Sequence, residues 1–86
     1  MPSVAVLFGI SIMFFYNDHE PPHMHVEGPD FSAKMDLADL SISEVQGTMW
    51  SGEIRRLRAW ARRHQSELWD NWLRARAKRP LRRIED

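Results

Sequence analysis

Two adjacent prolines, Pro21 and Pro22, constrain the fold of this chain more than any other feature of its sequence. Proline holds φ at about −65°, donates no backbone hydrogen bond, and disfavours helical geometry in the residue before it. Residues 20–22 are therefore predicted to form an extended connector, because neither a helix nor a central strand continues through such a pair. The regular structure on each side of the connector has to form separately.

The residues on both sides of the connector have the patterns of β-strands. Residues 3–8 and 10–16 are rich in β-branched and aromatic side chains, and Gly9 between them suits a tight turn. Residues 23–27 and 31–37 alternate polar and apolar side chains around the turn-forming triplet Gly28-Pro29-Asp30. We predict two consecutive antiparallel hairpins. Residues 40–45 are compatible with a further short edge strand before a turn at Gly47.

The last third of the chain has the pattern of a helix. Ser51 is a good N-cap, and Glu53 lies in the first turn, where the helix dipole favours a negative charge. We predict one long helix that ends at about Lys78, because Pro80 disfavours helical geometry at Arg79. An apolar stripe at steps of three and four residues predicts the side that packs on the sheet. Its members are Ile54, Leu57, Ala61, His64, Leu68 and Trp72.

These elements predict an α+β fold: an antiparallel sheet of about four strands with one long C-terminal α-helix packed on one face. We expect a single domain over residues 1–78 and a basic C-terminal tail over residues 79–86. The opposite face of the second strand carries Met13 and Phe15 and has no second helix to cover it. A homodimer, or a heterodimer with a neighbouring small protein, is therefore expected at that face.

Length and composition exclude several classes of site. With 86 residues the chain is large enough for one small core, and with no cysteine it has neither disulfides nor thiolate metal ligands. The apolar segment 4–16 is too short to cross a bilayer. We therefore expect a cytoplasmic protein that has no membrane partner and whose sites use nitrogen and oxygen donors.

The formal net charge of zero hides a strong asymmetry. Residues 1–50 contain seven acidic residues and one lysine, whereas residues 51–86 contain eleven Lys or Arg residues and five acidic ones. Charge pairing between sheet and helix is one explanation of this asymmetry, and recruitment of an anionic partner is the other. The candidate contacts to RNA, DNA or an acidic partner are Arg74, Arg76, Lys78, Arg79, Arg82 and Arg83.

Three of the four histidines lie beside the proline pair. In a strand, His23, His25 and Glu27 share one face, which places two imidazoles and a carboxylate together. A zinc-like divalent metal site is one interpretation, with His19, His23 and His25 as ligands and Asp18 or Glu27 as a fourth ligand or a partner of the ligands.

Two other interpretations of the same histidines stay open. His19, His23 and His25 have the chemistry for general acid–base catalysis of phosphodiester cleavage, with Lys34 or an arginine stabilising the developing charge. Alternatively, the rings bond loop carbonyl groups and brace the bend. His64, which lies on the apolar stripe of the helix, is expected to be a core residue satisfied by a hydrogen bond.

A family resemblance adds to these interpretations. The motif Asp18-His19-x-Pro21-Pro22-His23-x-His25-Val26, followed later by His64, Glu67-Leu68 and Trp72, resembles a family of small bacterial proteins catalogued as domain of unknown function four-one-six-zero. The resemblance implies a small regulatory or interaction module in an arrangement reminiscent of toxin–antitoxin pairs, contacting a protein or nucleic acid. It leaves a histidine-based, metal-assisted nuclease or hydrolase as the alternative. The basic tail lies outside the recognised pattern.

Overall fold

A computed structural model describes residues 3–85 and places five antiparallel strands and two helices in an α+β arrangement. The predicted class is confirmed, but the prediction of about four strands and one long helix is wrong in detail. The strands follow one another across the sheet in chain order. The elements are β1 (Ser3–Leu7), β2 (Ile10–Met13), β3 (His23–Glu27), β4 (Phe31–Asp36), β5 (Ile42–Gly47), α1 (Ser51–Arg63) and α2 (Gln65–Arg76).

The turns between the strands set the register of the sheet. Phe8 and Gly9 have φ values of 53° and 75°, as a two-residue hairpin between β1 and β2 requires. Gly47, with a φ of 86°, ends β5 where an added Cβ atom would overlap the carbonyl oxygen of Asp30. β2 ends three residues earlier than predicted, so residues 14–22 form the loop that leads to β3.

One face of the sheet forms the core together with the helices. Ile12, Val26 and Ala33 lie side by side across β2, β3 and β4, and all three are buried. The helices cover this face with a stripe that continues from α1 into α2. Its buried residues are Leu57, Trp60, Ala61, Leu68, Asn71, Trp72 and Ala75. The predicted stripe is therefore correct for Leu57, Ala61, Leu68 and Trp72, whereas Ile54 and His64 are only partly buried.

The helix is interrupted at His64, which the sequence pattern did not reveal. His64 has φ −115° and ψ 22°, outside helical geometry, and its N–H lies 3.1 Å from the carbonyl oxygen of Trp60. The side chain of Gln65 donates a 2.7 Å hydrogen bond to the carbonyl oxygen of Leu37, which ties the interruption to the loop after β4. The spacing of apolar residues is preserved across this point, so periodicity alone predicts an unbroken helix.

The start of α1 also differs from the prediction. Trp50 is the N-cap and Ser51 is the first helical residue. The carboxylate of Glu53 accepts a 2.9 Å hydrogen bond from the backbone N–H of Trp50. Glu53 thus satisfies a backbone donor at the helix start, in addition to its favourable position in the helix dipole.

Residues after α2 pack back onto the domain. The side chain of Asn71, which is 1% exposed, donates to the carbonyl oxygen of Arg82 and accepts from its N–H. Ile84 is buried, and its N–H donates a 2.8 Å hydrogen bond to the carbonyl oxygen of Val4. The division into a domain and a tail at residue 78 stays a prediction, and residues 1, 2 and 86 lie outside the described part of the chain.

Within residues 3–85, no helix has both the length and the apolar run that crossing a bilayer requires. Both helices instead carry charged residues on the side away from the sheet.

Replacing Asn71 with alanine is expected to lower the free energy of unfolding by about 1–3 kcal/mol, because the backbone groups of Arg82 lose both of their partners. Urea denaturation followed by circular dichroism measures this loss. Leu73→Ala, at a position that is 62% exposed on the same helix, is the matched control and should change stability little. Equal stability of the Asn71 variant and the parent protein would contradict the proposed docking of residues 79–85.

Candidate functional site

Asp18, His23 and His25 meet at one end of the sheet. Oδ2 of Asp18 lies 2.9 Å from Nε2 of His23 and 2.7 Å from Nε2 of His25. The three ligand atoms all lie within 4.8 Å of one another, and these residues form the one group of this kind found in the described chain, residues 3–85. We call them the Asp-His-His cluster.

Two chain segments position this cluster. His23 and His25 are two residues apart on β3, so both leave the strand on the face opposite the core. Asp18 belongs to the loop that follows β2, where its N–H approaches the carbonyl oxygen of Phe15 at 3.4 Å. The proline connector is held in turn, because the carbonyl oxygen of Pro22 accepts a 3.0 Å hydrogen bond from the N–H of Leu37. The Glu20–Pro21 peptide bond is cis.

The tautomer of His23 follows from its neighbours. Nδ1 lies 2.8 Å from the carbonyl oxygen of Pro21, and a carbonyl only accepts, so Nδ1 carries the hydrogen. In the neutral ring Nε2 then carries a lone pair and can only accept a hydrogen bond. This atom is buried and has no correctly oriented hydrogen-bond partner, although Asp18 is only 2.9 Å away. Two acceptors facing each other repel, and a proton or a metal ion between them removes that repulsion.

Aromatic rings hold both imidazoles in place. The ring of Phe15 stacks on His25 with centroids 3.9 Å apart, and Trp72 of α2 lies 5.3 Å from His23. The side chain of His23 is 4% exposed, whereas that of His25 is 21% exposed. Solvent and ligands therefore reach the cluster from the side of His25.

The pKa of Asp18 reflects two opposing effects. Burial raises it, but the hydrogen bond from His25 and the charges that His23 and His25 carry when protonated outweigh burial, with help from the backbone N–H of His19. The net result is a pKa below the usual 3.8. Asp18 is thus an ionised carboxylate at neutral pH, which suits both a hydrogen-bond acceptor and a metal ligand.

His19 and Glu27 do not belong to the cluster. The ring of His19 is 5.9 Å from that of His23, and its Nδ1 hydrogen-bonds the carbonyl oxygen of Glu20 at 3.0 Å. Glu27 shares the strand face as predicted, but it lies exposed at the far end of β3, opposite Ser11 and Ser32. The interpretation in which the rings bond loop carbonyl groups is correct for His19 and for Nδ1 of His23. It is not correct for His25, whose Nε2 bonds Asp18.

Lys34 and Asp36 share the histidine face. Lys34 lies directly opposite His25, and Asp36 lies opposite His23. The ammonium of Lys34 forms a 2.8 Å ion pair with Glu44, and this hydrogen bond lowers the pKa of Glu44. The carboxylate of Asp36 instead accepts a 2.7 Å hydrogen bond from the backbone N–H of Ala38.

A groove of about 250 Å³ runs along this face beside His25. Its lining combines polar and apolar side chains of β2 to β5 and of the loop after β2: Met13, Phe15, His25, Glu27, Ser32, Lys34, Glu44 and Gln46, with Val26 and Ala33 beneath. Sequence reasoning missed Trp72 and Glu44 as neighbours of the site, because they come from distant segments with no periodic relation to the motif.

The predicted basic contact residues occupy different environments. Arg74 pairs with Asp70 at 2.8 Å, and Arg76 pairs with Glu20 at 2.7 Å, next to the connector that carries the cluster. The remaining four are exposed, and within residues 3–85 none of them forms an ion pair: Lys78, Arg79, Arg82 and Arg83. Of the six, only Arg76 is thus placed beside the connector, whereas Arg82 and Arg83 lie near Glu67, Asp70 and Asn71 of α2.

Asp18→Asn is expected to destabilise the metal-free protein by about 1–3 kcal/mol near neutral pH, because the cluster loses its charged acceptor. The pKa of Asp18 is lower in the folded state, so its contribution is present above about pH 4 and is lost as the pH falls through the folded-state pKa. Urea denaturation in chelator, from neutral pH down to about pH 2.5, measures the difference between variant and parent. That difference should shrink in acid.

Asp30→Asn, at an exposed position in the turn after β3, is the control and should show no such pH dependence. A difference between the Asp18 variant and the parent that stays constant over the whole range would show that ionised Asp18 does not stabilise the fold.

The comparison with known proteins identifies one family. The profile described as Domain of unknown function (DUF4160) matches residues 9–73, which include the Asp-His-His cluster, β2 to β5, α1 and most of α2. The match ends before the basic residues that begin at Arg74. No curated protein and no solved structure matches the chain. The predicted resemblance is confirmed, and the chain belongs to the DUF4160 family.

Proposed function

We propose that the Asp-His-His cluster binds a divalent transition metal ion and that the protein uses it in a hydrolytic reaction on a phosphodiester. The observation that carries this proposal is Nε2 of His23, a buried nitrogen without an oriented hydrogen-bond partner, directed at Asp18. Buried polar atoms are normally satisfied, so an atom of this kind calls for a cation. A bound metal ion would satisfy it together with the neighbouring ligands.

The donor set fits such an ion. Two imidazole nitrogens and one carboxylate oxygen suit zinc and similar divalent metals, and the bond from Nδ1 of His23 to Pro21 presents Nε2 as the ligand atom. Ligand atoms of a tetrahedral zinc site are about 3.3 Å apart, so the Asp18 oxygen, now 2.7 and 2.9 Å from the two nitrogens, would move slightly outward, and all three ligand atoms already lie within 4.8 Å of one another. Held by these three protein ligands, a metal ion would keep a position open for water or a substrate oxygen and would supply Lewis-acid chemistry there.

The surrounding residues supply the other parts of a hydrolytic site. Lys34 lies across from His25 on the groove side, where its ammonium can stabilise negative charge that develops on a phosphoryl group. Glu44 competes for that ammonium, but its side chain is 68% exposed and free to move away. His19 is exposed beside the cluster, and with Nδ1 bonded to Glu20 its Nε2 is available to take a proton.

Titration of metal-free protein with Zn²⁺ or Mn²⁺ should give about one equivalent bound per chain, with affinity that falls on acidification because protons compete for the imidazoles. Asp18→Ala, His23→Ala and His25→Ala should each weaken binding at least tenfold. Isothermal titration calorimetry and elemental analysis measure this. Glu27→Gln and His19→Ala should keep the stoichiometry, since neither residue reaches the cluster.

The loaded protein should then hydrolyse bis(p-nitrophenyl) phosphate, and Lys34→Ala and His19→Ala should lower the rate without loss of metal. Absence of metal binding by the parent protein would refute the metal proposal. Hydrolysis that persists in the presence of a chelator would support metal-free acid–base catalysis instead. Metal binding without hydrolysis would assign the ion a structural role.

A second candidate is an interaction module of the toxin–antitoxin or regulatory type that contacts a nucleic acid or a protein. The unpaired cations Lys78, Arg79, Arg82 and Arg83 support it, since nothing in residues 3–85 neutralises them. The proposed homodimer, or heterodimer with a neighbouring small protein, would use the sheet face that carries Met13 and Phe15. Sedimentation as a monomer at high concentration, alone and with that protein, would refute it.

The double variant Arg79→Ala/Arg83→Ala is expected to weaken binding of a short single-stranded RNA and to reduce the salt dependence of its affinity by about one to two counterions, because fewer phosphates are contacted. Fluorescence anisotropy at several salt concentrations measures both quantities. Arg55→Ala/Arg62→Ala, which removes the same charge from α1, is the control. Binding that responds equally to both pairs would indicate a diffuse charge effect and not a site at the end of α2.

A further inference from the structure

We infer that the outer side of α1 is a docking site for an acidic, amphipathic segment of a second protein. The site is a shallow groove of about 400 Å³, which we call the α1 groove. It is lined by Ser51, Ile54, Arg55, Arg58, Ala59 and Arg62. None of these residues belongs to the proposed metal site, so the inference stands independently of the proposed hydrolytic activity.

Helix geometry explains why these side chains share one side. Ile54, Arg58 and Arg62 follow one another at steps of four, and Ser51, Arg55 and Ala59 form the adjacent row. The buried residues Leu57, Trp60 and Ala61 of the same helix point to the sheet. The α1 groove therefore runs along the helix on the side turned away from the core.

The charge of the α1 groove is strongly one-sided. α1 carries five arginines and a single acid, Glu53, whose carboxylate is occupied by the N–H of Trp50. Arg58 is held in place because its Nε donates a 3.1 Å hydrogen bond to the carbonyl oxygen of Leu40. Arg55 and Arg62 are exposed, and neither forms an ion pair with any acid between residues 3 and 85. Carboxylates are the complement of this arrangement, and arginine binds them with two parallel hydrogen bonds.

The apolar part of the α1 groove distinguishes a protein from a nucleic acid. Ile54 and Ala59 lie between the arginines, and Trp50, at the start of the same helix, is 67% exposed. A phosphate backbone would neutralise the arginines but would leave these apolar side chains in water. A peptide segment with both acidic and apolar side chains covers both, and tryptophan and arginine are the residues that contribute most to protein interfaces.

The test uses a fluorescein-labelled helical peptide of about sixteen residues, with leucine at steps of three and four and glutamate on both flanks. Fluorescence anisotropy should detect saturable binding to the full-length protein. Arg55→Glu/Arg62→Glu should weaken it at least tenfold, and Trp50→Ala should weaken it several-fold. Arg56→Glu/Arg63→Glu, which makes the same change of net charge at exposed positions of α1 outside the groove, should leave the affinity within about twofold.

A second peptide with glutamine in place of every glutamate separates charge from apolar contact and should bind at least tenfold more weakly. Because the changed arginines are exposed, circular dichroism should show an unchanged fold, and Arg55→Gln/Arg62→Gln repeats the test without charge reversal. Equal binding of the two peptides, no binding of the acidic peptide, or equal effects of the Arg55/Arg62 and Arg56/Arg63 variants would overturn the inference. The inference would also be overturned if the protein bound RNA, if Arg55→Glu/Arg62→Glu abolished that binding, and if the acidic peptide did not bind.

Discussion

One carboxylate oxygen, Oδ2 of Asp18, joins the parts of this protein that carry its candidate chemistry. It lies within hydrogen-bonding distance of imidazole nitrogens from His23 and His25, and it thereby fastens the loop after β2 onto β3. The loop in turn covers His23, whose other nitrogen bonds the proline connector. One short loop brings together a buried lone pair, an ionised carboxylate and a partly exposed imidazole, and these are the donors on which the proposed metal site rests.

The helical layer contributes to the same place although no helical residue is a member of the cluster. Trp72 covers the ring of His23, and Arg76, one turn further along α2, pairs with Glu20 beside the proline connector. An exposed ion pair of this kind adds little to stability. Its position matters more, because it fixes Arg76 beside the connector that leads from Asp18 to His23.

The separation of charge along the sequence has a related consequence in space. The interpretation that it serves pairing between sheet and helix is supported by the Arg76–Glu20 contact. Other ion pairs stay within one half: Lys34 with Glu44 inside the sheet, and Arg74 with Asp70 inside α2. Exposed arginines of α1 and of the segment after α2 leave the helical layer with a basic outer surface. The ion pairs named here therefore use only part of the charge.

Periodicity and turn chemistry in the sequence by themselves determined the α+β class, the hairpins around Gly9 and Gly28, the side of the helix that packs on the sheet, and the shared face of His23 and His25. These features depend on neighbours in the chain, so a period of two or of three to four residues reveals them. Only the tertiary structure decided that Asp18 joins the cluster while His19 and Glu27 do not, that Trp72 covers His23, and that the helix is interrupted at His64. Each of these depends on how a loop folds back or on contacts between residues far apart in sequence, for which the chain carries no local signal.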